Sequence, residues 1–390
     1  MMIKIAMVVF SYYPADPRVR REAEALVEAG MSVDVICLKG IGESQREDIN
    51  GVNAYRINLM RTRAGKLRYL FEYSYFIISA FLMLSCLHLL KQYRIIHIHN
   101  MPDILVISAI LPKLTGSKLI LDLHDPMPEV YLAKYPDAPN SVIKILKTVE
   151  KFSIGFADLV ITPNISFRNL FVSRSCPSWK IHIVMNSPQE NIFQKNKPER
   201  NKKAAQSKFS IMYHGSIVER HGLDIAIRMM THLRKKISNL VLHVYGDGNF
   251  LNQIKKNVRD MDLRDIVKFH GAVPLETIAK AIASADVGLI PNRMDPFTNL
   301  NFPTRIFEYL IIGKPVIVPR TQGIRDYFDE KSLFFFEAEN TNDLSEVVLK
   351  VYHNPTQRQE VTNRGIDIYA GYRWKLQRKH LIELIKTQCC

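Results

Sequence analysis

Only five cysteines occur in 390 residues, Cys37, Cys86, Cys176, Cys389 and Cys390, and all but the terminal pair lie far apart. That excludes a disulfide framework, and the absence of zinc-type Cys/His spacing leaves no metal expected. No secretory leader is expected, because the apolar start Ile5 to Phe10 is short and runs straight into Ser11-Tyr12-Tyr13-Pro14. A cytosolic protein is expected, with the terminal cysteines in a solvated tail. Negative charge is in deficit: 38 acidic against 53 basic residues leave a net charge of +15. The partner should therefore be an anion, either a phosphorylated small substrate, an anionic membrane surface or nucleic acid. With no RNA-binding aromatic signature and no concentrated recognition helix, nucleic acid is the weakest of these and is not expected.

What is present is globular. Hydrophobic residues make up 47% and charged residues 23%, and the length favours two or three domains. Residues 3–10 suit a central parallel strand, residues 20–29 carry helical periodicity stopped by Gly30, and residues 33–38 form the next strand. This is a βαβ unit, so the sheet is parallel and the site lies at the carboxyl ends of its strands. The loop Ser11 to Arg18 then sits at the site. It lacks the glycine cradle of a dinucleotide fold, which argues against a dehydrogenase, and offers Asp16 and Arg18, either as acceptor-side groups or as caps of the following helix.

Residues 69–90 are the most apolar segment, interrupted by Glu72, Ser74, Ser79, Ser85 and His88. A buried or interfacial helix is expected here in preference to a membrane span. Arg61, Arg63, Lys66 and Arg68 precede it, an arrangement that suits either an anionic bilayer face or a solvated loop beside an ordinary core helix. Strands follow at 95–99, 119–123, 158–162 and 180–184. The second of these segments runs into the sequence His124-Asp125-Pro126-Met127-Pro128-Glu129. His124 is either a hydrogen-bond donor to a sugar hydroxyl or phosphate, or a structural loop histidine. Asp125 and Glu129 are acceptor-side candidates that would equally serve to orient His124 or cap a helix.

Residues 191–208 read as a linker between a first domain, 1–190, and a second, 209–365, with a closing helix in 366–390 that packs on its own domain or crosses back to the first. Strands in the second domain are expected at 209–213, 240–245, 266–269, 287–290 and 316–318, and Gly215, Gly246, Gly248 and Gly271 sit where a backbone must approach a ligand closely.

The segment Asn301 to Val318, NFPTRIFEYLIIGKPVIV, is the focus of the chain. Pro303 suits the first turn of a helix, Ile306, Phe307, Leu310 and Ile311 give it an apolar face, and Gly313 caps it. The first-turn N–H groups near Thr304 and Arg305 make a seat for an anion such as a diphosphate. Glu308, a carboxylate among apolar neighbours, needs a partner: a sugar diol or a local cap or salt bridge.

Five segments in order, YHGSIVERHGLDIAI, VYGDGN, VKFHGAVP, ASADVGLIPN and PTRIFEYLIIGKPVI, resemble the retaining glycosyltransferases of family 4 over nearly the whole chain. The resemblance implies an α/β protein of GT-B fold, two Rossmann-like domains facing each other across a cleft. It further implies a nucleotide-sugar donor bound mainly by the second domain, a lipid-linked or glycan acceptor bound mainly by the first, and neither a cofactor nor an obligatory metal. By position, Glu308 matches the glutamate that holds the donor ribose, and the N–H groups of Thr304 and Arg305 would face the diphosphate. Val273 would lie against the base, and His124 matches the histidine that contacts the donor sugar. Arg220 is the choice for the cation that stabilises the leaving diphosphate. Gly215, Ser216, His221, Gly246, Gly248 and Asn301 complete the donor side. UDP is the favoured nucleotide and GDP the second.

Three departures accompany the resemblance. Leu300, flanked by Asn299 and Asn301, stands where the family has an earlier glutamate; Ser216 and His221 replace a basic pair; and Asp16 and Arg18 replace the first loop's glycines. The expectation is a cytoplasmic, membrane-associated transferase of hexosyl groups in cell-surface glycan synthesis. A sugar-nucleotide epimerase of the same fold and a non-catalytic partner subunit are the alternatives, and sugar, acceptor and linkage are not legible.

Overall fold

The computed structural model describes residues 2–61, 66–193 and 208–389, the side chains of residues 66 and 67 excepted. Two compact units divide it, one made of Met1–Asn186 with Lys375–Cys390 and the other of Ser187–Trp374. The expected linker falls mostly in residues 194–207, outside the described residues.

The first unit is built on eight strands: β1 (Lys4–Tyr12), β2 (Ser32–Leu38), β3 (Arg46–Ile49), β4 (Val52–Ile57), β5 (Ile95–His99), β6 (Lys118–Asp122), β7 (Leu159–Thr162) and β8 (Ile181–Ile183). Their order is β3-β4-β2-β1-β5-β6-β7-β8, and every pairing is parallel except β3 with β4. Ile5, Ala6, Met7 and Val8 are fully buried, as a central strand covered by helices on both faces requires. The β3–β4 hairpin was not expected. Its signal is Asn50-Gly51, both at positive φ (55° and 81°) between the paired Ile49 and Val52, the two-residue turn that favours Asn-Gly.

Strand order reverses between β1 and β5, so their carboxyl ends flank a switch point where α/β sheets place ligands. The helix Pro17–Glu28 starts just beyond β1. The closing helix begins at Trp374, later than residue 366, and belongs to this unit: Gln377 accepts a hydrogen bond from the Met185 amide at 2.9 Å, and Arg378 pairs with Glu28 at 2.8 Å.

The second unit holds β9 (Phe209–His214), β10 (Leu240–Tyr245), β11 (Val267–Gly271), β12 (Val287–Leu289), β13 (Val316–Pro319) and β14 (Phe334–Phe336), ordered β11-β10-β9-β12-β13-β14. All its pairings are parallel, and the order reverses between β9 and β12. The edge strand β14 was not foreseen, since three phenylalanines in a row are too short a run to announce a strand.

Helix Lys66–Lys91 spans the apolar segment. Its window from Arg68 to Lys91 is long and apolar enough to cross a membrane, with a third of it buried. Phe76, Ala80 and Leu84 face the core, whereas Phe71, Tyr75, Ile78, Leu82 and Leu89 are exposed at spacings that put them on one face. Of the basic cluster before it, Arg68 pairs with Glu72 at 3.0 Å and the Arg61 guanidinium lies 5.2 Å from the Phe10 ring centre. Arg63 and the Lys66 side chain lie outside the described residues.

Candidate active site

In the second unit the site grows from the end of β9. His214, its last residue, is buried and bonded on both ring nitrogens: Nδ1 to the Tyr309 hydroxyl at 2.9 Å and Nε2 to Glu308 Oε2 at 2.6 Å. Tyr309 in turn donates to the Met212 carbonyl at 2.8 Å, so its oxygen accepts from His214 Nδ1–H. A second proton must then lie between Nε2 and Oε2. The partner that Glu308 needed is therefore a histidine. Its other oxygen, Oε1, accepts no hydrogen bond among the described residues.

Helix Arg305–Ile312 carries Glu308 and starts two residues after Pro303, with Thr304 at its N-cap and Gly313 closing it at φ 83°. The amides of Ile306 and Phe307 bond back to the Pro303 and Thr304 carbonyls, each at 3.0 Å, so Thr304 and Arg305 supply the first-turn donors left over. The Arg305 side chain folds back toward β9. Its Nη1 donates to the His214 carbonyl, Nη2 lies 3.3 Å from Asn292 Oδ1, and the guanidinium sits 5.2 Å from the Tyr213 ring centre. Gly215 is required there, since a Cβ would come within 3.0 Å of Arg305 Nη1 at φ 126°.

Gly246 and Gly248 have a different reason from the one expected. A Cβ on Gly246 would sit 1.9 Å from the Gly215 carbonyl oxygen, and one on Gly248 2.2 Å from that of Ile217, so these glycines let strand-end backbones pack on each other. Ser216 takes part through its backbone: its carbonyl accepts from Tyr213 Oη at 2.7 Å and from His221 Nδ1 at 2.7 Å. Burial, reinforced by Arg305, pushes the His221 pKa down to about 3. The Arg220 guanidinium lies 5.2 Å from the Phe297 ring centre, and among the described residues its buried Nε has no hydrogen-bond partner. Leu300 and Asn301 lie in a turn whose carbonyls press on Gly323, where a Cβ would meet them at 2.5 and 2.6 Å. Val273 is half-buried just beyond β11.

In the first unit, Asn100 follows β5 and organises the loop after β6. Its Oδ1 accepts from the His124 amide at 2.8 Å, and its Nδ2 donates to Asp103 Oδ1 at 2.9 Å and to the Asp125 carbonyl at 2.8 Å. This turns the buried His124 ring inward, where Nε2 lies 3.2 Å from Asp122 Oδ2 and 3.2 Å from His99 Nδ1. Burial and the neighbouring Arg18 push its pKa down to about 3. Asp16 caps helix Pro17–Glu28, accepting from the Arg18 amide at 3.2 Å and from its Nε at 3.3 Å. Although burial opposes it, Arg18 holds the Asp16 carboxyl well below the usual range. Asp16, Arg18, Asp125 and His124 thus act on one another across this strand end. Glu129 does not join them. Arg174 takes both its oxygens, at 2.6 and 2.9 Å, and also holds the buried Glu150, so Glu129 is a structural ion-pair partner.

Sequence reasoning missed His214, Asn292 and the trio Asn100, His99 and Asp122. The visible signal was the alternation His97-Ile98-His99 at the end of a strand, which points both histidines to one face.

Residues 15–187 match the family described as Glycosyl transferase 4-like domain, and residues 194–367 match Glycosyl transferases group 1. An uncharacterized glycosyltransferase of Methanocaldococcus jannaschii is 24% identical over 98% of both chains. A GDP-mannose-dependent alpha-(1-6)-phosphatidylinositol monomannoside mannosyltransferase of Mycolicibacterium smegmatis is 30% identical over 43% of this chain and 45% of its own. Among solved structures, Anabaena HepE in complex with UDP-glucose superposes with a TM-score of 0.74 at 13% identity, covering 99% of this chain and 100% of that one.

Proposed function

Since the chain belongs to the group 1 glycosyl transferases of family 4 and has the GT-B fold, we propose that it is a retaining hexosyltransferase. It moves a sugar from a nucleoside diphosphate, UDP first and GDP second, to a hydroxyl of a lipid-linked or polysaccharide acceptor. The two nucleotides are those named with the Anabaena and mycobacterial proteins, and the second of these also names a lipid acceptor.

The observation that carries the reading is Glu308. Its Oε2 is fixed by His214 and its Oε1 is left for a diol, one helical turn from the Thr304 and Arg305 amides at a switch point of the sheet. Ribose hydroxyls on Glu308 would put the diphosphate over that helix start, beside Arg220. As the bond from the anomeric carbon to the phosphate oxygen breaks, charge grows on the diphosphate, and a fixed guanidinium stabilises it there. The acceptor hydroxyl attacks the same face and passes its proton to the departing phosphate oxygen. Arg220 and the amides of Thr304 and Arg305 stabilise the leaving group, so the reading needs no cofactor and routes no step through a metal ion. The exposed stripe from Phe71 to Leu89 seats the enzyme on an anionic membrane where a lipid-linked acceptor resides.

The test is turnover with an α-linked UDP- or GDP-sugar and a membrane lipid extract as acceptor, reading nucleotide release and the anomeric NMR signal. Acceptor-dependent release with an α-linked product supports the proposal. A β-linked product, or conversion of donor without acceptor as an epimerase would give, contradicts it.

A further inference from the structure

Beneath His124 four side chains converge inside the first unit: Glu22 from helix Pro17–Glu28, His97 and His99 from β5, and Asp122 from β6. All four are buried, the most accessible at 3%. One donor atom from each lies within 4.8 Å of every other. His97 Nε2 is 3.8 Å from Glu22 Oε2 and 3.7 Å from Asp122 Oδ2, and His99 Nδ1 is 3.3 Å from Asp122 Oδ2. A tetrahedral ion with bonds of about 2.0–2.1 Å holds its ligands roughly 3.3–3.4 Å apart, so the three pairs above need at most about half an ångström of contraction and the widest pair, within 4.8 Å, at most roughly 1.5 Å.

A second observation points the same way. Among the described residues Glu22 Oε2, His97 Nε2 and Asp122 Oδ2, which face one another, make no regular hydrogen bond despite near-complete burial, Asp122 Oδ2 meeting only histidine nitrogens at 3.2–3.7 Å. So many orphaned polar atoms in one place are rare in a folded interior, where such groups find partners. The donor set selects the ion. Two carboxylates match the charge of a divalent cation, two imidazoles favour zinc and its neighbours over magnesium or calcium, and four protein ligands without an open position make a closed structural site.

We infer that Glu22, His97, His99 and Asp122 form a closed four-ligand site for a divalent transition-metal ion, zinc first, that ties the first helix to β5 and β6 under His124. Asp122 Oδ2 also lies 3.2 Å from His124 Nε2, so a metal that fixes Asp122 fixes the histidine above it. The ion is structural and distinct from the donor chemistry. Its presence is read without any assay of transfer.

Untagged protein purified without chelator from zinc-supplemented cells is analysed for metal by mass spectrometry. It is then unfolded with EDTA, refolded with zinc, cobalt or neither, and scanned for melting temperature and visible absorption. The site predicts one bound metal per chain, a higher melting temperature with zinc than without, and the intense visible bands of four-coordinate cobalt. Glu22→Gln and His97→Gln should lower the stoichiometry, whereas His88→Gln, at a buried histidine bonded to Thr115, should not. If a cluster variant does not fold, wild-type stoichiometry and the cobalt spectrum still decide. Metal-free wild type both as purified and after refolding with zinc would overturn the inference, as would a weak six-coordinate cobalt spectrum.

Discussion

His214 and Glu308 share one proton across a 2.6 Å hydrogen bond that ties the end of β9 to the helix Arg305–Ile312. Through Tyr309 the same histidine is anchored to the Met212 carbonyl within its own strand. The carboxylate proposed to hold the donor is thus oriented by the sheet, and a bond with an ionised partner is stronger and more directional than a neutral one. Arg305 reinforces the arrangement by donating to the carbonyl of that residue.

Arg220 separates catalysis from folding. Among the described residues its guanidinium makes a cation–π contact with Phe297 and no side-chain hydrogen bond, so Arg220→Ala should cost only about 0.5–1 kcal/mol of stability. If it stabilises the departing diphosphate, kcat should fall by about two to three orders of magnitude. Steady-state kinetics beside a urea unfolding curve measures both. An unchanged kcat would remove Arg220 from the mechanism.

Asp103 makes stability depend on pH. Burial raises its carboxyl to about 7, against the pull of the Asn100 amide, with Glu150 and Glu129 raising it and Arg174 lowering it. Because the folded-state value lies above the unfolded one, only the folded chain holds this proton between the ordinary carboxylate range and about pH 7. Stability is therefore lost as pH rises through that window, at about 1.4 kcal/mol per pH unit at most. Asp103→Asn should flatten this part of the profile. Urea midpoints at about pH 5 and pH 8 check it, and parallel profiles would contradict it.

Gly246→Ala and Gly271→Ala should behave differently although both glycines have positive φ. The first would put a methyl 1.9 Å from the Gly215 oxygen, where only backbone movement makes room, whereas the second meets nothing within 4 Å. Gly271→Ala should cost roughly 1–2 kcal/mol of left-handed strain, and Gly246→Ala several times more or no soluble protein. Melting temperatures of the pair decide, and equal values would sink the packing account.

The apolar stripe on helix Lys66–Lys91 has its own test. Replacing Phe71, Ile78 and Leu82, all exposed, with serine should abolish co-sedimentation with anionic vesicles at low salt and leave the melting temperature nearly unchanged. Wild type that ignores such vesicles would end the membrane proposal.

Much of the fold was legible because buried parallel strands are written as apolar runs: Lys4–Tyr12, Ile95–His99 and Leu240–Tyr245 stand out by composition alone. The helix of Glu308 was legible through its punctuation, with Pro303 before it and Gly313 after it. The partner of that glutamate was not, because His214 lies 94 residues away and only the parallel sheet brings the two together. Gly246 shows the same limit in reverse. Sequence marks it as special, but whether a ligand or a neighbouring backbone fills the space depends on which strand lies beside it. Glu129 was read by its place after His124, and the arginine that claims it is 45 residues on.

The most direct test of the central claim is a thermal-shift measurement with UDP, GDP and ADP and their common sugars on the wild type and Glu308→Ala. A ligand that binds only the folded state raises the melting temperature, by an amount set by its concentration over Kd. The account predicts a rise with one nucleotide and its sugar, lost or greatly reduced in Glu308→Ala. No rise in the wild type with any of them, or the same rise in both proteins, would contradict it.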